Sequence, residues 1–180
     1  MNEDFLAVVQ SKRFLGREFL TWLVHRIEEG EARVAHEGQV TEIQLGDRVV
    51  LAGGADDKAR LTVVGAGDTR PEIGAGLRRG KLVDKARLAF LRDERRWELV
   101  LDGGMLDYEA VRCPTLGERD AGADPRAALE NDLFLRLADV EDALGVLDRL
   151  FQEFCALRAS AAWHDAALPR LRAWVRRMDG

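Results

Sequence analysis

Residues 81–103 read KLVDKARLAFLRDERRWELVLDG, and the fold turns on how that run is read. Polar and apolar residues alternate through its first half, the period of a strand with two unlike faces. On that alternation Leu82, Asp84, Ala86, Leu88 and Phe90 point one way, and Val83, Lys85 and Arg87 the other. Past Asp93-Glu94, Trp97, Leu99 and Leu101 share a face, so the run is predicted to be a β-hairpin. Just upstream, Thr69 to Gly80 carries a helix-start signature: Thr69 as cap, Pro71 in the first turn, and Glu72 three residues after Thr69. Gly74 and Gly76 weaken that short helix, and Gly80 ends it. From Arg70 to Arg96 there are nine Lys/Arg against four acids, a local +5 in a chain of net −5.

Further upstream, EARVAHE, QVTEIQL and DRVVLAG are short Val/Ile-rich segments parted by Gly38 and Gly46, and read as strands. The GGADDK turn at 53–58 leads into ARLTVVG, another strand. Before them, Gly16 opens a helix whose Phe19, Leu20, Leu23, Val24 and Ile27 form one apolar stripe, with Trp22 at its edge and Gly30 as C-cap. Residues 3–11 hold the pattern of a further short helix. Downstream, 103–123 read as loop, with a strand at YEAVRCP and a mobile GERDAGAD. From Pro125 a helical pattern runs for about thirty residues, with Leu133, Leu137, Val140, Leu144, Leu147, Phe151 and Phe154 spaced alternately by four and three, as in a coiled-coil seam. Gly145 marks a bend in it, and in a last helix near 160–178 Pro169 marks a kink or a fresh start. The expected fold is α+β in a single domain, 1–180. It comprises an N-terminal helix over 15–30, an antiparallel sheet of five to six strands with one short helix over 31–112, and a helical part over 125–178.

At 180 residues with 47% hydrophobic and 33% charged residues, the chain can bury one proper core. No apolar run approaches a membrane span, so no membrane partner is expected. Acids precede the apolar residues in MNEDFLAVVQSKRF, the reverse of a secretory leader, and the expected location is cytoplasmic. Cys113 and Cys155 have no C-x-x-C spacing, which fits a reducing compartment and neither a disulfide frame nor a zinc site. Charge is segregated: residues 102–148 carry twelve acids and four arginines, whereas the tail after Leu168 is basic again through Arg170, Arg172, Arg176 and Arg177.

Motifs for catalysis are nearly absent, and no catalytic residue, metal site or cofactor is assigned. There is no Walker loop and no H-E-x-x-H. Gly65-Ala66-Gly67 lies between a strand and a helix, but the third glycine of a dinucleotide fingerprint would fall at Arg70. His25, His36 and His164 sit in unlike segments and read as surface or helix-face residues. Cys155 adjoins the apolar seam as a small core residue, and Cys113 has no activating base in view. Trp22, Trp97, Trp163 and Trp174 fall on apolar faces, where core packing competes with base stacking. Glu130, Asp132, Asp139, Glu141 and Asp142 lack calcium-loop spacing and read as a solvated helix face.

The basic cluster remains. Arg78, Arg79 and Lys81 at the helix-to-strand junction, with Lys85 and Arg87 on one strand face, form the candidate nucleic-acid-binding site. Such cations neutralise phosphates without reading bases. Alternatively they pair with the acidic long helix inside the fold, each exposed pair contributing little. A reading of another class takes the seam Leu133, Leu137, Val140, Leu144, Leu147 and Phe151 as a contact for a second copy or a partner protein.

The run from Leu77 to Leu88, LRRGKLVDKARL, resembles the C-terminal half of the RdgC family of bacterial recombination-associated proteins, whose helix end is followed by a G-K-x-V-x-K-x-x-L strand. Trp97 to Asp102 resembles the next strand and its Asp-Gly turn, and Glu130 to Leu135 the family's closing D-A-D-F-x-L-M helix. FLGREFLTWLVHRIEEG is similar to the opening helix of its shorter relatives, so the resemblance covers most of residues 14–157. It implies a non-enzymatic, nucleoid-associated protein that binds DNA without sequence preference, as a dimeric ring, and restrains recombination. Lys81 and Lys85 match the motif's basic positions; Arg78, Arg79 and Arg87 come from the charge pattern alone. The family's N-terminal half, which helps close the ring, has no counterpart in these 180 residues, and the Trp-rich basic C-terminal helix is an addition.

Overall fold

Asp93, in a left-handed conformation at φ 51°, turns the chain between β4 (Leu82–Arg92) and β5 (Arg95–Asp102), the hairpin at the centre of the molecule. A computed structural model of the chain describes residues 13–53, 59–65, 69–114 and 124–178. The short helix expected at 3–11, most of the 53–58 turn, Ala66-Gly67 and the GERDAGA stretch lie outside the described residues.

The hairpin is flanked on one side by β2 (Gln39–Ala52) and on the other by β6 (Asp107–Arg112), all antiparallel. β1 (Arg33–His36) and β3 (Leu61–Val64) share the outer edge of β2, β1 along its first half and β3 along its second. This six-stranded sheet follows α1 (Arg13–Glu28), includes α2 (Arg70–Arg78) between β3 and β4, and precedes α3 (Pro125–Arg158) and α4 (Leu168–Arg177). A π-helical turn at Trp163–Ala167 leads into α4, and Pro169 sits in that helix's first turn. The architecture is α+β, with the helices on one face of the sheet.

At Asp84 the ladder departs from simple alternation. Leu51 pairs with Val83 but Val50 with Lys85, so Asp84 is an extra residue in β4, a bulge. The bulge reverses the parity: Val83 joins Ala86, Leu88 and Phe90 in the core, where the period-2 reading put it on the opposite face. Asp84 also leaves water, at 2% exposure, and pairs with Arg17 of α1 at 2.6 Å. The N–H of Val83 donates to Thr21 Oγ1 of α1 (2.9 Å), so the helix satisfies a backbone group next to the disrupted ladder.

α1 begins three residues before Gly16, which therefore lies inside the helix. There a Cβ would fall 2.1 Å from the carbonyl oxygen of Gly103, so α1 meets the β5–β6 turn backbone to backbone. Phe19, Leu20, Leu23 and Val24 fill the core as their spacing predicts. Phe19, Trp22, Phe151, Phe154 and Trp163 join in one aromatic cluster, with Phe19 meeting Phe151 edge-on at 5.2 Å. All four tryptophans are buried.

α3 has 34 residues, about 51 Å of helix, and continues unbroken through Gly145. Its second half covers α1 and β1 and is tied to α1 by Glu153–Arg26 (3.1 Å) and Arg158–Glu18 (2.9 Å). Leu147 and Phe154 are buried, and Leu144 and Phe151 are half-buried against the core. That part of the seam is therefore committed to this chain's own interior. The first half extends past the core, and Leu133 and Leu137 are left at 56% and 50% exposure.

Candidate nucleic-acid interface

The five cations singled out from the sequence separate into two groups. Lys85 and Arg87 lie on the sheet face turned away from the helices. In register, Lys85 stands opposite Asp102 of β5, and its ammonium lies 2.9 Å from that carboxylate and 3.2 Å from Glu109 of β6. The hydrogen bond to Asp102 raises the Lys85 pKa, against the cost of burial. Burial pushes the Asp102 carboxyl up, but Lys85 and the N–H groups of Met105 and Gly104 outweigh it and hold it below its ordinary value. Arg87 reaches Asp47 at 3.0 Å. The same face carries Arg33–Glu42 and Arg96–Glu98, with Arg112 also on Glu98. Its ion pairs thus use five cations and five carboxylates, so Lys85 and Arg87 are both matched within the sheet.

At the hairpin tip, the acidic helix does meet the basic strand. Arg92 bonds Asp142 (2.9 Å) and Thr41, Arg95 bonds the buried Asp139, and both guanidiniums lie over the Trp97 ring at 5.5 and 5.1 Å. These contacts hold α3 to the sheet, and they consume two more of the cations counted in the local +5.

The second group stands at the junction after α2. Gly80, at φ 79°, turns the chain from helix to strand and leaves Arg78 and Arg79 exposed, with Lys81 half-buried behind them. Thr69 precedes α2 with no side-chain cap bond; Pro71 and Glu72 occupy the first turn as expected. Lys81 Nζ donates to the carbonyls of Gly53 and Ala59, so it ties together the two sides of the β2–β3 connection while keeping its charge. Arg78 Nη1 donates to the carbonyl of Val175 in α4 (3.3 Å). α4 comes this close because Gly74 has no side chain: a Cβ there would lie 2.6 Å from that of Met178.

This docking brings Arg172 and Arg176 beside Arg78 and Lys81, around a groove of 330 Å³. Among the described residues no carboxylate pairs with Arg79, Arg172 or Arg176. Glu18, the acid in the groove, is itself matched by Arg158. Arg172 and Arg176 were missing from the candidate site. Their i, i+4 spacing places both on one helix face, but the junction they face lies some ninety residues earlier in the chain.

Burial raises the thiol pKa of both Cys113 and Cys155, which disfavours the thiolate. Among the described residues no cluster of three or more His, Cys, Asp or Glu is placed to hold a metal ion, and no helix is long and apolar enough to cross a membrane. Compared with family models, curated proteins and solved structures, the chain matches none.

Proposed function

We propose that this chain is a non-enzymatic protein that binds the phosphate backbone of nucleic acid without sequence preference, through the corner where α2 meets α4. Arg79, Arg172 and Arg176 supply the contacts, with Arg78 and Lys81 adding charge behind them. One observation carries the reading: in a chain of net charge −5, Arg172 and Arg176, exposed and without a carboxylate partner among the described residues, line one groove with Arg78 and Lys81, and the exposed Arg79 adjoins Arg78 in the chain. A guanidinium forks onto phosphate oxygens, and contacts of that kind position a duplex without reading its bases. Lys85 and Arg87 do not enter the proposal, because their charges are met within the sheet. The resemblance of Leu77–Leu88 to the RdgC family supports the same reading, and a restraint on recombination is its finer form. Fluorescence anisotropy with a labelled random-sequence duplex and its single strand at low salt tests it. Binding at micromolar protein that weakens steeply with salt is expected; no binding to either at that concentration defeats it.

A second reading is favoured by the free end of α3. Leu129, Leu133, Phe134, Leu135 and Leu137 are 44–68% exposed on its first half, more apolar surface than a lone helix end needs. On this reading the chain associates with a second copy, or another protein, through Leu129, Leu133 and Leu137. Sedimentation velocity on Leu133→Asp/Leu137→Asp decides it: loss of a wild-type dimer with the helix content kept supports it, and a monomeric wild type removes the second copy.

A further inference from the structure

The groove between α1, α2 and α4 has a construction that backbone phosphate does not call for. Leu77, Leu82, Trp163, Leu168, Leu171 and Val175 make an apolar floor, and Arg78, Lys81, Arg172 and Arg176 make a cationic rim. The polar groups at its back are already used: Glu18 bonds Arg158, and Thr21 donates to the Arg17 carbonyl and accepts from Val83. Its 330 Å³ suits the body of a small molecule rather than a segment of folded protein. A neutral hydrophobe would leave the guanidiniums of Arg172 and Arg176 facing it unmatched, and a bare phosphate would leave the floor wet. One class of ligand uses both.

We propose that this groove is a binding site for a small amphipathic anion, an alkyl chain with one carboxylate or phosphate head. The chain lies on Trp163, Leu168, Leu171 and Val175, and the head is held by Arg172 and Arg176, whose guanidiniums have no carboxylate among the described residues. Charge complementarity selects an anion, and the single layer of apolar side chains selects one tail. The site shares two arginines with the proposed nucleic-acid interface but does not rest on that reading, because its test contains no nucleic acid.

The test is isothermal titration calorimetry of the whole chain with decanoate, decyl phosphate and 1-decanol, each below its aggregation limit. Saturable 1:1 binding of decanoate or decyl phosphate, at least tenfold tighter than 1-decanol, is expected, and the two anionic arms identify the preferred head. Arg172→Ala/Arg176→Ala should bring the anions to the level of the alcohol. Val175→Trp, which fills the floor, should abolish binding of all three while thermal melts stay cooperative. Equal binding of anion and alcohol by the wild type, or no saturable binding of either anion, overturns the proposal whatever the variants do.

Discussion

Replacing Arg79, Arg172 and Arg176 together with alanine isolates the proposed interface from the rest of the charge in the chain. All three side chains are exposed and carry no ion pair among the described residues, so their loss should cost the fold less than about 0.5 kcal/mol each. On duplex DNA each neutralised phosphate contributes about −0.9 to the slope of log affinity against log salt. With five cations engaged the wild type should show a slope of about −4.5, and the triple variant about −1.8. Between about 50 and 200 mM salt this means a loss of roughly 500-fold in wild-type affinity but only about 12-fold in the variant. Anisotropy titrations at four salt concentrations measure both slopes. Lys85→Ala/Arg87→Ala is the matched control, and its slope should equal the wild type's because Asp102, Glu109 and Asp47 already hold those charges. A triple variant with the wild-type slope, or a strand variant that flattens it equally, refutes the assignment of the corner.

Three further outcomes concern the frame that holds the corner. Gly16→Ala gains about 1 kcal/mol of helix propensity but drives a Cβ to 2.1 Å from the Gly103 carbonyl oxygen. The backbone cannot swing aside as a side chain can, so a net loss of about 1–2 kcal/mol is expected in urea unfolding, and a stabilised variant would contradict the contact. Asp84→Ala leaves Arg17 partly buried against an apolar strand and should cost about 3 kcal/mol; a change below about 1 kcal/mol would show that Arg17 finds water instead. His25 packs edge-on to Trp174 at 5.2 Å, and burial lowers its pKa from 6.5, with Glu29 and Glu31 opposing and Arg177 and Arg170 assisting. The unfolded chain therefore binds the proton more readily, so this stability term is full above pH 6.5 and is lost as pH falls toward the folded-state pKa. His25→Gln should flatten the decline of Tm below neutrality, and an unchanged pH profile would remove His25 from it.

Elements with strong local periodicity were legible in the sequence. The apolar stripe of α1 and the alternation of β5 each reflect one face against one core, and period alone reports that. The bulge at Asp84 was not legible, because one extra residue in a ladder leaves no mark on composition. It turned Val83 into the core, beside the Asp84 that alternation had already placed on that face. The basic cluster failed to stay together for a related reason. Which acid stands opposite Lys85 depends on register with β5 and β6, and which meets Arg95 depends on how α3 crosses the hairpin tip. Charge counts along the chain hold no information about either. The seam of α3 looked uniform over 133–154 because its spacing is uniform. What divides it is packing: from about Asp139 onward the helix lies against the sheet and α1, whereas Leu129, Leu133 and Leu137 are left exposed.

Self-pairing of the strand cations also bears on how a net-acidic chain would hold a polyanion. A chain of −5 gains nothing from long-range steering toward nucleic acid, and one corner of five cations gives affinity only at short range. Alone, such a corner is a weak binder near physiological salt. Association through the exposed half of α3 would change the arithmetic, because two corners on one duplex make the second contact intramolecular. On that view the two readings are coupled rather than rival. A variant such as Leu133→Asp/Leu137→Asp would then bind a short duplex as the wild type does but lose its advantage on a long one. Equal losses on both lengths would instead place the α3 stripe in the nucleic-acid contact itself, and no loss on either would leave the corner to act alone.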